Sequence, residues 1–291
     1  MTIYATPTQN TGQRRLAHRT RGQTRGPITR LMSPGDVGEL VKPFVFLDYF
    51  DFSGFGGSGL PVHPHSGIAT HTTILAGSVR YADSTGKSGT LRARGVEWMQ
   101  AGGGVWHGGG PGPHDGELRG FQLWVALAPP LELAPAHSQY VDAASIPSDD
   151  PTRLLLGTHR GVSSAIPYPA PLTFLQVTLR DRARWRYEPS RGHDIAWLAV
   201  ATGGLRVAGV SLHREMAVFE EGSGSIDVVA DGDVELVVGS ALKHPHPLVT
   251  GEYSVHTSRE TLTLGEAGIE RVASAMQLRP FEPISAPWPE P

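Results

Sequence analysis

The chain has no cysteine. That removes disulfides, thiolate metal sites, cysteine-ligated iron–sulfur clusters and cysteine nucleophiles together. Lysine is scarce too: of 25 basic residues 22 are arginine and only 3 are lysine, an imbalance attributed to base composition before function. The formal net charge of −3 argues against a general nucleic-acid-binding surface. No apolar run reaches the length of a membrane span, and the N-terminal stretch lacks the apolar core of a secretory leader. The expectation is a cytoplasmic protein that does not enter a membrane. Acidic residues are absent from the first 35 positions, which hold six arginines. That stretch reads as a solvated arm leading into a first strand.

What the chain has in quantity is glycine (36) and proline (24). Long helical patterns are rare, which favours many short strands and turns. Phe44 to Phe50, Ile68 to Leu75, Ser78 to Tyr81, Thr90 to Arg94, Glu97 to Gln100 and Gly120 to Val125 read as strands, with a hairpin-type turn at Asp83-Ser-Thr-Gly86. The stretch from Pro129 to Pro151 is rich in Pro, Ala, Ser and Asp and reads as a connector, and strands resume at Thr173. One helix is expected near 258–276, with Ser258 as its N-cap and Glu260 in its first turn. The segments Leu75–Arg80 and Ala201–Arg206 resemble each other at an offset of 126, the trace of a duplication. Two β-barrel domains follow, at 1–135 and 145–291.

Histidine carries the chemistry. His63 and His65 are i and i+2 of one extended segment, so they face the same side. His107 ends a glycine-rich run 42 residues later, enough chain to return across a small barrel. Three imidazoles at one point suit iron, nickel, copper or zinc. The offset of 126 puts Pro189, Arg191 and Asp233 in the corresponding places of the second half, so one metal per chain is expected, in the first half. His244-Pro-His246 repeats the spelling without a third histidine and reads as a loop. Gln122 on its strand is a candidate donor behind the ligands, His114 and Asp115 could rim the pocket or supply a further ligand, and Glu97 reads as structural.

Five motifs carry a family resemblance: Pro43–Asp48, His63-Pro-His-Ser-Gly-Ile68, Asp83–Gly89, Gly95–His107 and Gly120–Val125. In order and spacing they resemble pirins, members of the cupin superfamily. The second half matches more thinly, at Pro171-Leu172 and at Gly251 to Thr261. The resemblance implies an all-β chain of two cupin barrels (double-stranded β-helices) face to face, with a short C-terminal helix. It implies a single mononuclear metal, iron first, in the N-terminal barrel on His63, His65 and His107, and none in the C-terminal one. It also implies a quercetin 2,3-dioxygenase type of activity on a flavonol, or else a regulatory role with a protein partner.

Two departures stand out. The family's fourth ligand, a glutamate, falls on Gly109, and a second family glutamate falls on Ala69. His71 follows two residues on and, in an unbulged strand, would share a face with His65. Three neutral imidazoles would leave a dication uncompensated, so weaker iron retention than in a typical pirin is expected, with water or an exogenous anion in the vacated position and Gly109→Glu raising affinity. Catalytic residues stay unassigned, with Gln122 and His71 as candidates behind the metal.

Overall fold

The computed structural model describes residues 12–53, 60–112 and 117–277. They form antiparallel strands, with one long helix at Arg259–Gln277 and a short one at Val37–Val41. No described helix is long and apolar enough to cross a membrane. The chain divides into two compact units, and neither is a continuous stretch of sequence. One comprises the described residues up to Arg21 together with Pro147–Lys243. The other comprises Gly22–Ile146 and the chain from His244 onward. The expected spans 1–135 and 145–291 therefore differ from the compact units at both ends, because each terminal segment pairs with strands of the other half of the sequence. Leu16–Thr20 runs antiparallel to Met216–Phe219, and Ser254 bridges to Ser66.

In the unit built around Pro147–Lys243, ten strands form one sheet. Its path runs Leu16–Thr20, Met216–Phe219, Ile195–Val207, Ile226–Ala241, Leu172–Leu179, Thr152–His159 and Ser148–Asp149. Alternating side chains of these strands, among them Leu175, Trp185, Leu198, Leu205, Phe219 and Leu236, make its core. Arg14 is buried here and donates to the carbonyls of His193, Asp194 and Gly224, which fixes the incoming arm.

The other unit holds two sheets. Seven strands run in the order His137–Val141, Val96–Gln100, Ile68–Ala76, Arg119–Ala126, Phe44–Asp51, Ile28–Met32 and Gln23–Arg25. Four more run Leu60–His65, Val105–Pro111, Ser78–Asp83 and Ser88–Arg92. The helix Arg259–Gln277 is capped by the Ser258 hydroxyl, which accepts from the Thr261 amide at 3.1 Å. It contacts the strand Val105–Pro111, and Trp106 Nε1 donates to the Ile269 carbonyl at 3.0 Å.

The repeat read from the sequence has a structural counterpart. Gly77 and Gly203, 126 apart, adopt φ of +78° and +74°. A Cβ at either would lie 1.9 and 2.1 Å from the carbonyl oxygens of Glu117 and Asp233 respectively. Both bends thus need a residue without a side chain.

Candidate metal centre

The strand Leu60–His65 pairs antiparallel with Val105–Pro111, and His107 stands opposite His63. Alternation puts Trp106 toward the helix and leaves His107 on the opposite side with His63 and His65. The three side chains offer ring nitrogens within 4.8 Å of one another, the one group of three or more potential ligands found among the described residues. The Nε2 atoms of His63 and His107 are 3.1 Å apart.

Each ring is held from behind. His63 Nδ1 lies 2.8 Å from the Pro61 carbonyl and His65 Nδ1 lies 3.0 Å from the Tyr253 carbonyl. A carbonyl only accepts, so in both rings Nδ1 carries the proton and Nε2 keeps its lone pair. His107 Nδ1 faces Glu97 Oε1 at 3.5 Å. This is how metal-ligating histidines are oriented: the far nitrogen donates to an oxygen and the near one is free for the ion. Two lone pairs facing at about 3 Å repel unless a cation or a proton lies between them. The residues therefore fit a metal ion. Burial keeps the His63 and His65 rings neutral: it pushes His63 down to about 4, helped by the neighbouring His107, and holds His65 well below the usual histidine range.

Behind His107 the inner face of the seven-stranded sheet carries a polar row. Residue by residue across neighbouring strands, Tyr140 stands opposite Glu97, Glu97 opposite Thr72, Thr72 opposite Gln122, Gln122 opposite Asp48 and Asp48 opposite Arg30. The Thr72 hydroxyl donates to Glu97 and lies 2.8 Å from the Gln122 amide oxygen. Arg30 holds Asp48 with two nitrogens and lies 4.0 Å over the Phe46 ring. Phe46 stacks on Trp124 at 4.1 Å, and Trp124 meets the edge of His65 at 4.9 Å. Burial raises the Glu97 carboxyl, yet the His107 and Thr72 hydrogen bonds outweigh it and leave the group below the usual range.

A cavity of about 430 Å³ opens beside His63. Phe46, Trp124 and Tyr253 form part of its wall, with Gln122, Asp48 and Arg30 as polar groups. One edge, Thr250 to Ser254, comes from the segment after His244. That segment is anchored by a buried cluster. Ser66 Oγ lies 2.8 Å from Ser254 Oγ and 3.0 Å from His256 Nε2, while Glu132 accepts from the Thr257 amide and hydroxyl, each at 2.8 Å.

The sequence-based candidates fall as follows. His63, His65 and His107 come together. Gln122 lies in the cavity wall two strands from Glu97. His71 does not join them: the strand ends at His65, the chain bends through Gly67 at φ +73°, and His71 lies in the other sheet, on the face opposite Thr72. The assumption of one unbulged strand from 65 to 71 fails there. His71 is buried, 3.3 Å from Thr73 Oγ1 and against the Trp98 ring. His114 and Asp115 lie outside the described residues. His244 is a buried loop residue whose amide donates to the Lys42 carbonyl. Asp233 is exposed and bound by Arg180 at 2.8 Å. Glu97, read as structural, and Asp83, read as a turn residue, both turn out to lie beside His107. A single carboxylate inside the apolar run Val96-Glu-Trp-Met99, ten residues before His107, was the available signal.

Antiparallel β units, one with three converging imidazoles inside, define a cupin-type protein with a candidate metal centre. The pirin family model matches residues 26–125. A pirin-like protein of Caulobacter vibrioides is 33% identical over 231 residues, covering 75% of this chain and 82% of its own. The chain belongs to the pirin family. Among solved structures, a quercetin 2,3-dioxygenase from Acinetobacter baumannii superposes with a TM-score of 0.79 at 23% identity, over 94% of this chain and all of that one. A bacterial pirin from Escherichia coli in complex with nickel(II) gives a TM-score of 0.60 at 19% identity, over 79% and 98% of the two chains. At such identities these structures establish the fold alone.

Proposed function

We propose that this chain is a mononuclear metal-dependent oxidoreductase of the quercetin 2,3-dioxygenase type, acting on a planar hydroxylated aromatic such as a flavonol. The observation that supports it best is the convergence of three imidazoles beside an aromatic-walled cavity that His63 helps to line. His63, His65 and His107 would hold the ion, iron first, with nickel, zinc and copper as alternatives; the nickel(II)-bound relative supports a transition metal in this fold. When bound, the metal supplies a Lewis-acidic centre with open positions for substrate and O2. The chain's own residues orient and exclude. The carbonyls of Pro61 and Tyr253 fix the two rings of the His-Pro-His strand, and Glu97 fixes the third. Phe46 and Trp124 offer a flat wall against which an aromatic ring stacks, and Gln122 offers a polar contact at its edge.

Metal analysis of the purified chain, followed by oxygen uptake with a flavonol, tests this reading. A stoichiometric metal and flavonol-dependent oxygen consumption, both lost in His63→Ala and His107→Ala, are expected. A correctly folded chain that takes up none of the four metals would overturn it. The glycine at position 109 favours a second reading, in which the protein regulates a partner and the metal is structural or redox-sensing. Partner binding that survives metal removal would mark that role.

A further inference from the structure

The sequence leaves a charge deficit at the histidines: the family's glutamate position is Gly109, and three imidazoles carry no charge. The structure shows where negative charge sits instead. Glu97 and Asp83 are both buried, at 6% and 3% exposure, and both lie on the His107 side of the cluster. Asp83 stands directly opposite His107 across the pair of strands that joins them. Every described hydrogen bond reaching either carboxylate comes from a donor. Glu97 accepts from Thr72 and faces the His107 Nδ1 proton. Asp83 accepts from Thr85 Oγ1 at 2.6 Å, the Thr85 amide at 2.8 Å, Ser138 Oγ at 2.7 Å and Tyr140 OH at 2.8 Å. Tyr140 also lies 3.5 Å from Glu97, so one phenol sits between the two acids. The Thr85 and Lys87 amides can only donate, the His107 ring donates from Nδ1 when Nε2 is free, and the hydroxyls around both acids can turn to donate, so the setting suits two carboxylates. Among the described residues neither acid forms an ion pair with a lysine or arginine. Two buried anions without a cationic side chain are costly unless a cation lies close by.

We propose that Glu97, backed by Asp83, carries the negative charge of the metal centre in place of a carboxylate ligand, acting through His107 as a positioning residue and tuning the site for a divalent cation. The inference rests on the metal reading above. Glu97 holds the His107 proton on Nδ1 and pulls electron density toward Nε2, which makes that ring a better donor. Together the two acids balance a charge of +2 without occupying a coordination position, so the position that a carboxylate ligand would take stays available to substrate. Thr72 ties Glu97 to the cavity-lining Gln122, so the same row that orients His107 reaches the wall of the cavity.

The test is competitive titration of the metal-free full chain with nickel(II), using wild type, Glu97→Gln and Asp83→Asn. Glu97→Gln keeps the shape and an acceptor for His107 Nδ1 while removing the charge. Nickel affinity should fall about ten- to hundredfold, the size usual for removing an outer partner of a metal-bound histidine. The thermal midpoint of the metal-free chain should stay level or rise, because an uncompensated buried anion has gone. A purely structural role would lower that midpoint and leave affinity alone. With cobalt(II) bound, the visible spectrum of Glu97→Gln should keep the wild-type band positions, since Glu97 is not a ligand. Wild-type affinity in Glu97→Gln overturns the inference, as does a changed cobalt coordination spectrum. If Glu97→Gln does not fold, Asp83→Asn with unchanged affinity overturns the part played by the pair. A wild type that binds no metal instead defeats the metal reading on which the inference stands, and the two failures are thereby separate.

Discussion

At the scale of single residues, Gly109 shows how much a side chain depends on the strand beside it. An added Cβ there would lie 3.0 Å from the Arg80 carbonyl oxygen and 3.0 Å from Val79 Cγ2. The contact is tight, and the neighbouring strand Ser78–Asp83 must shift by a few tenths of an ångström. Gly109→Glu is therefore expected to move two measurements in opposite directions. Metal affinity rises as a charged oxygen donor enters, and the metal-free chain loses about 1–3 kcal/mol from overpacking. Titration and urea unfolding of the same samples check this, and an affinity below wild type would show that the new carboxylate cannot reach the ion. The grouping of His63, His65 and His107 was legible because the i, i+2 spacing of the first two is itself a geometric statement, and because five motifs in fixed order pointed to the third. Glu97 was not legible as a partner of His107. The two residues are brought together by a sheet and a strand pairing that the local pattern does not encode. His71 misled for the opposite reason, since alternation holds only within one strand and Gly67 ends it.

Among the elements, the glycine bends carry testable weight. Gly77 sits between Ile68–Ala76 and Ser78–Asp83, the strand that stands beside His107. With positive φ and a backbone oxygen 1.9 Å from any Cβ, it tolerates no side chain without moving the segment at Glu117. Gly77→Ala should destabilise the chain by about 2 kcal/mol or more, read as a lowered urea midpoint, and an unchanged midpoint would refute the constraint. The helix Arg259–Gln277 makes a milder case. Ser258→Ala removes the acceptor for the Thr261 amide and should cost about 1 kcal/mol. Both features were readable beforehand, the helix from its cap and the bend from the repeat at an offset of 126. Many strands were plain from β-branched and aromatic runs, but His137–Val141 lies inside the stretch read as a connector and Thr152–His159 precedes the point where strands were expected to resume. Strand partnership was not, because nothing in Met216–Phe219 announces that its neighbour is Leu16–Thr20.

For the whole molecule, two consequences follow from buried histidines and borrowed strands. Burial pushes His193 and His244 down to about 4. Unfolded histidine titrates near 6.5. Between those values the unfolded chain binds more protons than the folded one, so this contribution to stability is fully present above pH 6.5 and drains away as pH falls toward 4. Urea midpoints of the metal-free chain should drop across that window, and the drop should shrink in His193→Gln. A slope unchanged by that variant would mean that other groups set the acid limit. Removal of residues 1–20 should uncover the buried, apolar strand Met216–Phe219 as a free edge. Open edges of this kind pair with other chains, so the truncated protein should aggregate, as light scattering would show.

The His65 ring leans on the Tyr253 carbonyl, 188 residues later in the chain. Translation delivers the two ends of that hydrogen bond far apart in time. At about 5–20 residues per second, roughly ten to forty seconds of synthesis separate them. Throughout that interval the His-Pro-His strand exists without the carbonyl that aims its second ring. A ribosome-bound chain stopped short of Tyr253 would hold a His65 ring with no fixed bearing, and under the proposed function the site would be ready for an ion only once that later segment has been made.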